Sequence, residues 1–154
     1  MALPYENATS GNRALDDIQK ILTKFGASRF GTMTDTEAGI LLVQFTYRSR
    51  DVSISASVNG YAAAWLREHP YNPSRSRRSK IDHERLAMTQ AQISVCSILR
   101  DWIKGQVTAV EVGLLSFDGA FLGQIMLPTG RTVLQTALDR QILPQLVVEG
   151  RSDD

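Results

Sequence analysis

The sequence predicts an α+β domain: an N-terminal helix, a three-stranded antiparallel meander, a short helix, a basic loop, a long helix and a C-terminal helical segment. Three observations predict it. Apolar residues recur at helical spacing from Ala14 to Phe25, the period drops to two between Arg29 and Val58, and a broad apolar stripe returns from Leu86 to Val110. At 154 residues the chain is expected to be one domain, with 1–10 as a loose leader, 70–80 as the basic loop and 149–154 as a flexible tail.

Taken in order, Thr9 or Ser10 offers a side-chain oxygen to the free N–H groups that begin the first helix. Ala14, Leu15, Ile18, Ile21, Leu22 and Phe25 form its stripe, and Gly26 supplies the left-handed residue that ends it. Arg29 to Thr34 and Ile40 to Tyr47 read as strands, joined by turn chemistry in Asp35-Thr36-Glu37-Ala38-Gly39. Arg48-Ser49-Arg50-Asp51 reads as a tight turn. Val52, Ile54, Ala56 and Val58 then alternate with Ser53, Ser55 and Ser57, so this strand shows one face to water. Asn59 or Gly60 breaks the strand, and Tyr61 to His69 reads as a short helix that stops at Pro70.

Pro70 to Lys80 holds two prolines, three serines and no apolar aliphatic residue, the composition of a loop. The long helix starts at Asp82 and ends at Gly113; Gly105 bends it or marks close packing. Its stripe of Leu86, Ile93, Val95, Leu99, Trp102, Ile103, Val107 and Val110 is expected to bury against the sheet, with Leu99 and Trp102 central. Ser116 caps a short helix through Phe121 and Leu122, Gln124 to Leu127 is extended, and Pro128-Thr129-Gly130-Arg131 turns. Thr132 to Ile142 reads as a last helix.

Composition narrows the function. Hydrophobic residues make up 43% and charged residues 21%, an ordinary globular mixture. The net charge is +1, so any attraction to a polyanion has to be local. One cysteine, Cys96, excludes an internal disulfide and clustered-cysteine zinc sites, and fits a reducing compartment. Its neighbours Val95 and Ile98 predict a buried core thiol rather than a nucleophile. Residues 1–6 have no basic stretch followed by an apolar run, and no apolar segment approaches the roughly 20 residues that span a bilayer. The expectation is a soluble, cytoplasmic protein with no membrane partner.

No pattern of catalysis emerges. His69 and His83 flank the basic loop, and Asp82 and Glu84 lie beside them, yet the spacing matches no ligand motif and predicts two solvated histidines. Asp16 and Asp17 are helix neighbours that point in different directions. There is no Gly-x-Ser-x-Gly elbow and no phosphate-binding glycine loop. The sequence therefore predicts no catalytic residue, no metal and no cofactor.

The strongest local signal is Arg75-Ser76-Arg77-Arg78-Ser79-Lys80, four cations in six residues. Between Arg67 and Arg85 six cations stand against three acids, a surplus of +3 that exceeds the charge of the whole chain. Such a loop suits phosphates, each of which releases counterion when neutralised. Tyr61, Trp65 and Tyr71 are near in sequence as stacking surfaces for bases. The alternative is a solvated loop with no ligand. Arg48 and Arg50 form a second candidate patch at a strand turn.

Two resemblances add to this. Ile103-Lys104, Val107, Val110 and Gly113, then Phe117, Phe121-Leu122 and Leu127-Pro128-Thr129-Gly130-Arg131-Thr132-Val133, resemble a family of small, largely uncharacterised phage and prophage proteins. Those chains share a glycine-ended helix, a Phe-x-x-x-Phe-Leu segment and a Leu-Pro-x-Gly-x-Thr-Val turn. The resemblance covers roughly the C-terminal third and implies a mobile-element origin but no activity. Residues 12–69 also follow the element order of the double-stranded-RNA-binding domain. That family has a lysine-rich start to its second helix, where this chain has Tyr61-Ala62-Ala63-Ala64. The expectation is a non-catalytic phage-type accessory protein that holds nucleic acid through Arg75, Arg77, Arg78 and Lys80. The rival is an inhibitor that binds a host protein complex.

Overall fold

A computed structural model describes residues 2–147; the tail expected at 149–154 lies outside them. Helix α1 (Gly11–Phe25) starts at Ser10, whose Oγ accepts the Arg13 N–H at 3.2 Å, and ends at Gly26 with φ 109°. Ala14, Ile18 and Leu22, spaced four apart, are fully buried. Strands β1 (Arg29–Asp35), β2 (Ile40–Tyr47) and β3 (Arg50–Ser57) form the expected antiparallel meander in the order β1-β2-β3. Phe45 stands opposite Phe30 and Val52, and Val43 opposite Thr32 and Ile54. That register puts Leu41, Val43, Phe45, Val52 and Ile54 on one face, in one core with Ile18 and Leu22.

Several boundaries differ from the sequence reading. Strand β3 begins at Arg50, so the turn before it is Arg48-Ser49 alone, with φ 44° and 67°. Positive φ at both central residues marks the mirror-image turn that suits a twisted hairpin. Neither residue is glycine or asparagine, so the turn read at 48–51 showed neither its two-residue length nor its hand. Helix α2 (Val58–Glu68) begins three residues before Tyr61, because Ser57 caps it by accepting the Gly60 N–H at 2.8 Å. Asn59 and Gly60 break no helix in its first turn, where N–H groups have no internal partner. There the Gly39 carbonyl accepts the N–H groups of Val58 and Asn59 at 2.8 and 3.1 Å. A Cβ at Gly39 (φ 65°) would lie 2.1 Å from the Asn59 side chain, so only glycine lets this strand turn meet α2.

Ser79 caps α3 (Lys80–Glu111), accepting the Asp82 N–H at 3.1 Å, so the helix starts two residues before Asp82 and takes Lys80 out of the loop. Its 32 residues span about 48 Å. α3 packs along α1 and α2 rather than flat on the sheet. Val95, Leu99, Ile103 and Val107 are buried as expected, whereas Leu86 is exposed. Toward its N-terminus the buried positions are His83, Ala87, Ala91 and Ser94. Small side chains there let neighbouring backbone come close. The helix continues unbroken through exposed Gly105 and ends at Gly113 (φ 75°), where the Leu114 N–H reaches the Ala109 carbonyl.

Ser116 caps α4 (Phe117–Phe121), and a 3-10 turn, Leu122–Gln124, follows. Ile125 pairs with Val52 on the edge of β3, and Met126 bridges to Thr132 across the turn at Gly130. Thr132 and Gln135 cap α5 (Val133–Asp139) reciprocally; the helix stops three residues before Ile142. Phe117 stacks on Tyr47 at 4.7 Å, and fully buried Phe121 meets Phe45 and Trp102 edge-on at 5.6 and 5.9 Å.

The leader is not loose. Residues 4–8 form a strap over α2 and α3. The Pro4 carbonyl accepts the Tyr61 hydroxyl at 2.6 Å, the Tyr5 carbonyl accepts the Ser94 hydroxyl at 2.8 Å, and the Ala8 carbonyl accepts Gln90 Nε2 at 3.1 Å. The Tyr5 hydroxyl donates to Asp101 at 2.5 Å. A segment without a helix or strand of its own has its carbonyls satisfied by side chains from elsewhere in the chain. Among the described residues no helix is long and apolar enough to cross a membrane.

Candidate nucleic-acid interface

Helices α2 and α3 form a hairpin whose tip is the loop at residues 70–79. Proline at 70 ends α2, and Ser79 restarts helix, so Arg75, Arg77 and Arg78 fall in the stretch without regular structure between the two helices, and Lys80 in the first turn of α3. Arg75, Arg77, Arg78 and Lys80 are all exposed. None of the four pairs with a carboxylate among the described residues; the nearby Asp82 pairs instead with Arg85 at 3.6 Å. Beside them lies an open cleft of about 920 Å³, lined among others by Trp65, His69, Arg75, Arg77, Arg78 and His83.

The histidines depart from the sequence reading. His83 is buried, and His69 is half-buried. His69 Nε2 donates to Glu6 of the strap at 2.6 Å. His83 Nε2 donates to the His69 carbonyl at 2.6 Å, and its Nδ1 faces a guanidinium nitrogen of Arg78 at 3.4 Å. Trp65 lies against both imidazoles, at 4.4 and 5.2 Å between ring centroids, and Tyr71 packs on His83 at 5.5 Å. The Tyr71 hydroxyl also donates to the Arg78 carbonyl at 3.0 Å, so the loop is pinned at Arg78 even without an aliphatic anchor. The sequence did hold a signal for this cluster. His83, Ala87 and Ala91 stand four apart on one face of α3, as Trp65 and the C-cap His69 do at the end of α2, but a stripe this polar and small does not register as apolar periodicity.

The second patch does not join the first. Arg50 is tied to Asp118 of α4 at 3.0 Å, and the Arg48 guanidinium lies over the Tyr47 ring, 5.2 Å from its centroid. α4 is anchored by Gln106, whose Nε2 donates to the Ala120 carbonyl at 2.7 Å. Gln106 stands about 39 Å from Lys80 along α3, at 1.5 Å per residue. Arg48 and Arg50 therefore sit near the opposite end of the helix from the loop.

Burial pushes the Cys96 thiol up, which leaves it protonated and unreactive. Among the described residues no three His, Cys, Asp or Glu side chains gather as a metal ion needs. The chain matches no protein-family model, no curated protein and no solved structure.

Proposed function

We propose that the chain is a non-catalytic cytoplasmic accessory protein of phage type that contacts nucleic acid through the tip of the α2–α3 hairpin. What supports this reading is four exposed cations, none paired with a carboxylate among the described residues, three of which, Arg75, Arg77 and Arg78, line a cleft that also contains aromatic rings. Phosphates bind the cations and release counterions, and Tyr71, bonded to the Arg78 carbonyl, offers a stacking surface. Arg48 and Arg50 contribute little, because they are remote and Arg50 is already paired.

The test is a titration of labelled single- and double-stranded oligonucleotides at two salt concentrations. Replacing Arg75, Arg77, Arg78 and Lys80 by alanine should weaken binding about equally for all sequences and flatten its salt dependence. Stability should change by no more than about 0.5 kcal/mol for each exposed site. The reading is wrong if the unaltered protein binds neither oligonucleotide at low salt.

One observation favours a host protein as partner instead. Leu134 and Leu138 project from one face of α5, and Leu122, Ile142 and Leu143 are exposed as well. Exposed apolar patches of this kind mark docking surfaces. In this second reading the protein inhibits a host complex. Capture of a specific host protein that survives nuclease and is lost in a Leu134→Glu, Leu138→Glu variant would support it; capture unaffected by the variant would sink it.

A further inference from the structure

The cleft beside the basic loop contains one cation held differently from the rest. Arg75, Arg77 and Lys80 make no side-chain contact with a hydrogen-bonding partner among the described residues, whereas Arg78 is held twice, by Tyr71 at its carbonyl and by His83 at its guanidinium. The partners of His83 determine its protonation. A carbonyl only accepts, so Nε2, 2.6 Å from the His69 oxygen, carries a hydrogen. A guanidinium only donates, so Nδ1 facing Arg78 is a lone pair. The ring is thus neutral, and its one acceptor is turned into a cleft lined with cations.

We propose that Arg78 and His83 form a phosphate-binding subsite that takes up a proton with its ligand. The inference rests on the nucleic-acid reading for its ligand, a phosphate diester. With phosphate in the cleft, Nδ1 accepts a proton from solvent, and Nδ1–H and the Arg78 guanidinium both donate to phosphate oxygens. Without it, a second proton on the ring would set N–H against N–H. The other charged and titratable groups around the ring are Tyr71, Arg75 and Arg77 of the loop, Asp82 of α3, and His69 with its partner Glu6. Asp82 is engaged by Arg85, and Glu6 by His69, so neither neutralises Arg78.

The experiment has two arms. In the first, ¹⁵N imidazole spectra of the full chain are recorded at slightly alkaline pH with and without inorganic phosphate. Phosphate should convert His83 Nδ1 from unprotonated to protonated; an unmoved His83 resonance at saturating phosphate overturns the subsite. In the second, the affinity for a single-stranded oligothymidylate, whose diester charge is constant in this range, is measured from pH 8 to 6. Uptake of one proton tightens binding by up to about tenfold per pH unit. His83→Gln keeps an N–H for the His69 carbonyl and should remove the slope, and His69→Gln should keep it. A slope that persists in His83→Gln overturns the proposal. Should His83→Gln not fold, exposed Arg78→Ala decides: it should abolish the phosphate response of His83, and an intact response counts against the subsite. Oligonucleotide binding with His83 unmoved sinks the subsite and leaves the nucleic-acid reading standing. A response to phosphate without any oligonucleotide binding sinks that reading and leaves a site for free phosphate.

Discussion

Toward its C-terminus α3 is held by hydrocarbon. Leu99, Ile103 and Val107 are buried, and Phe121 closes over them with its ring against Phe45 and Trp102. Toward its N-terminus the buried positions are His83, Ala87, Ala91 and Ser94, and specific hydrogen bonds to the strap and to the end of α2 hold that region. The first kind of contact is non-directional and grows with area. The second is directional and is costly only when one partner is removed. One helix thus joins a region that tolerates any well-shaped apolar side chain to a region that tolerates almost no change in donors and acceptors.

This contrast can be broken by mutation. The largest effect belongs to the hydrocarbon end: Phe121→Ala should cost about 3–5 kcal/mol in chemical denaturation, as a fully buried aromatic does. A loss under half of that would mean the segment after α3 is peripheral. At the polar end, Ser94→Ala removes a hydroxyl with no exposure that serves both the Tyr5 carbonyl and Gln90. It should cost about 1–3 kcal/mol, most of it from the carbonyl left unpaired. Hydrogen exchange should show the loss as faster exchange around residues 5–8, with the sheet unaffected; uniform loosening would remove the distinction between the two regions.

The smallest effect sharpens the comparison through pH. The hydrogen bond from Tyr5 holds the Asp101 carboxyl below the usual carboxylate range, helped by Arg100 and opposed by partial burial. The same bond, with burial, raises the Tyr5 phenol. A lowered carboxylate contributes stability above its unfolded value near 3.9 and loses it as pH falls through the lowered one. A raised phenol contributes below about pH 10 and loses that contribution as pH rises through the raised value. Both groups are largely in water, so the clasp is weak. Tyr5→Phe should lower the midpoint slightly near neutrality and not at all in strong acid. A deficit that persists in strong acid would mean the phenol acts by packing rather than through Asp101.

The sequence made the hydrocarbon half legible. A run of β-branched and aromatic residues located β2 to the residue, Gly26 and Gly113 marked the ends of their helices, and Ser116, Pro128 and Gly130 marked the segment after α3. Each of these signals is local. The polar half depends on pairs far apart in sequence, such as Tyr61 with Pro4 and His83 with His69, and neither period nor composition encodes them. The cations at the hairpin tip stood out as a charge run, but the imidazole that holds Arg78 did not, because its burial comes from Trp65 across the hairpin. The tight turn after β2 was legible but read two residues too long, because Arg48-Ser49 is a left-handed pair with no glycine to mark it.

The strap also bears on the order in which the protein assembles on the ribosome. Its partners lie 57 to 96 residues downstream of it. At about 5–20 residues per second, several seconds pass between synthesis of residues 4–8 and arrival of the last atom they bond. The α2–α3 hairpin is a neighbouring pair that closes locally, and the strap docks on it afterwards as a late latch. Slowing synthesis around residues 90–101 would therefore lengthen the life of an unlatched nascent chain without altering the finished fold.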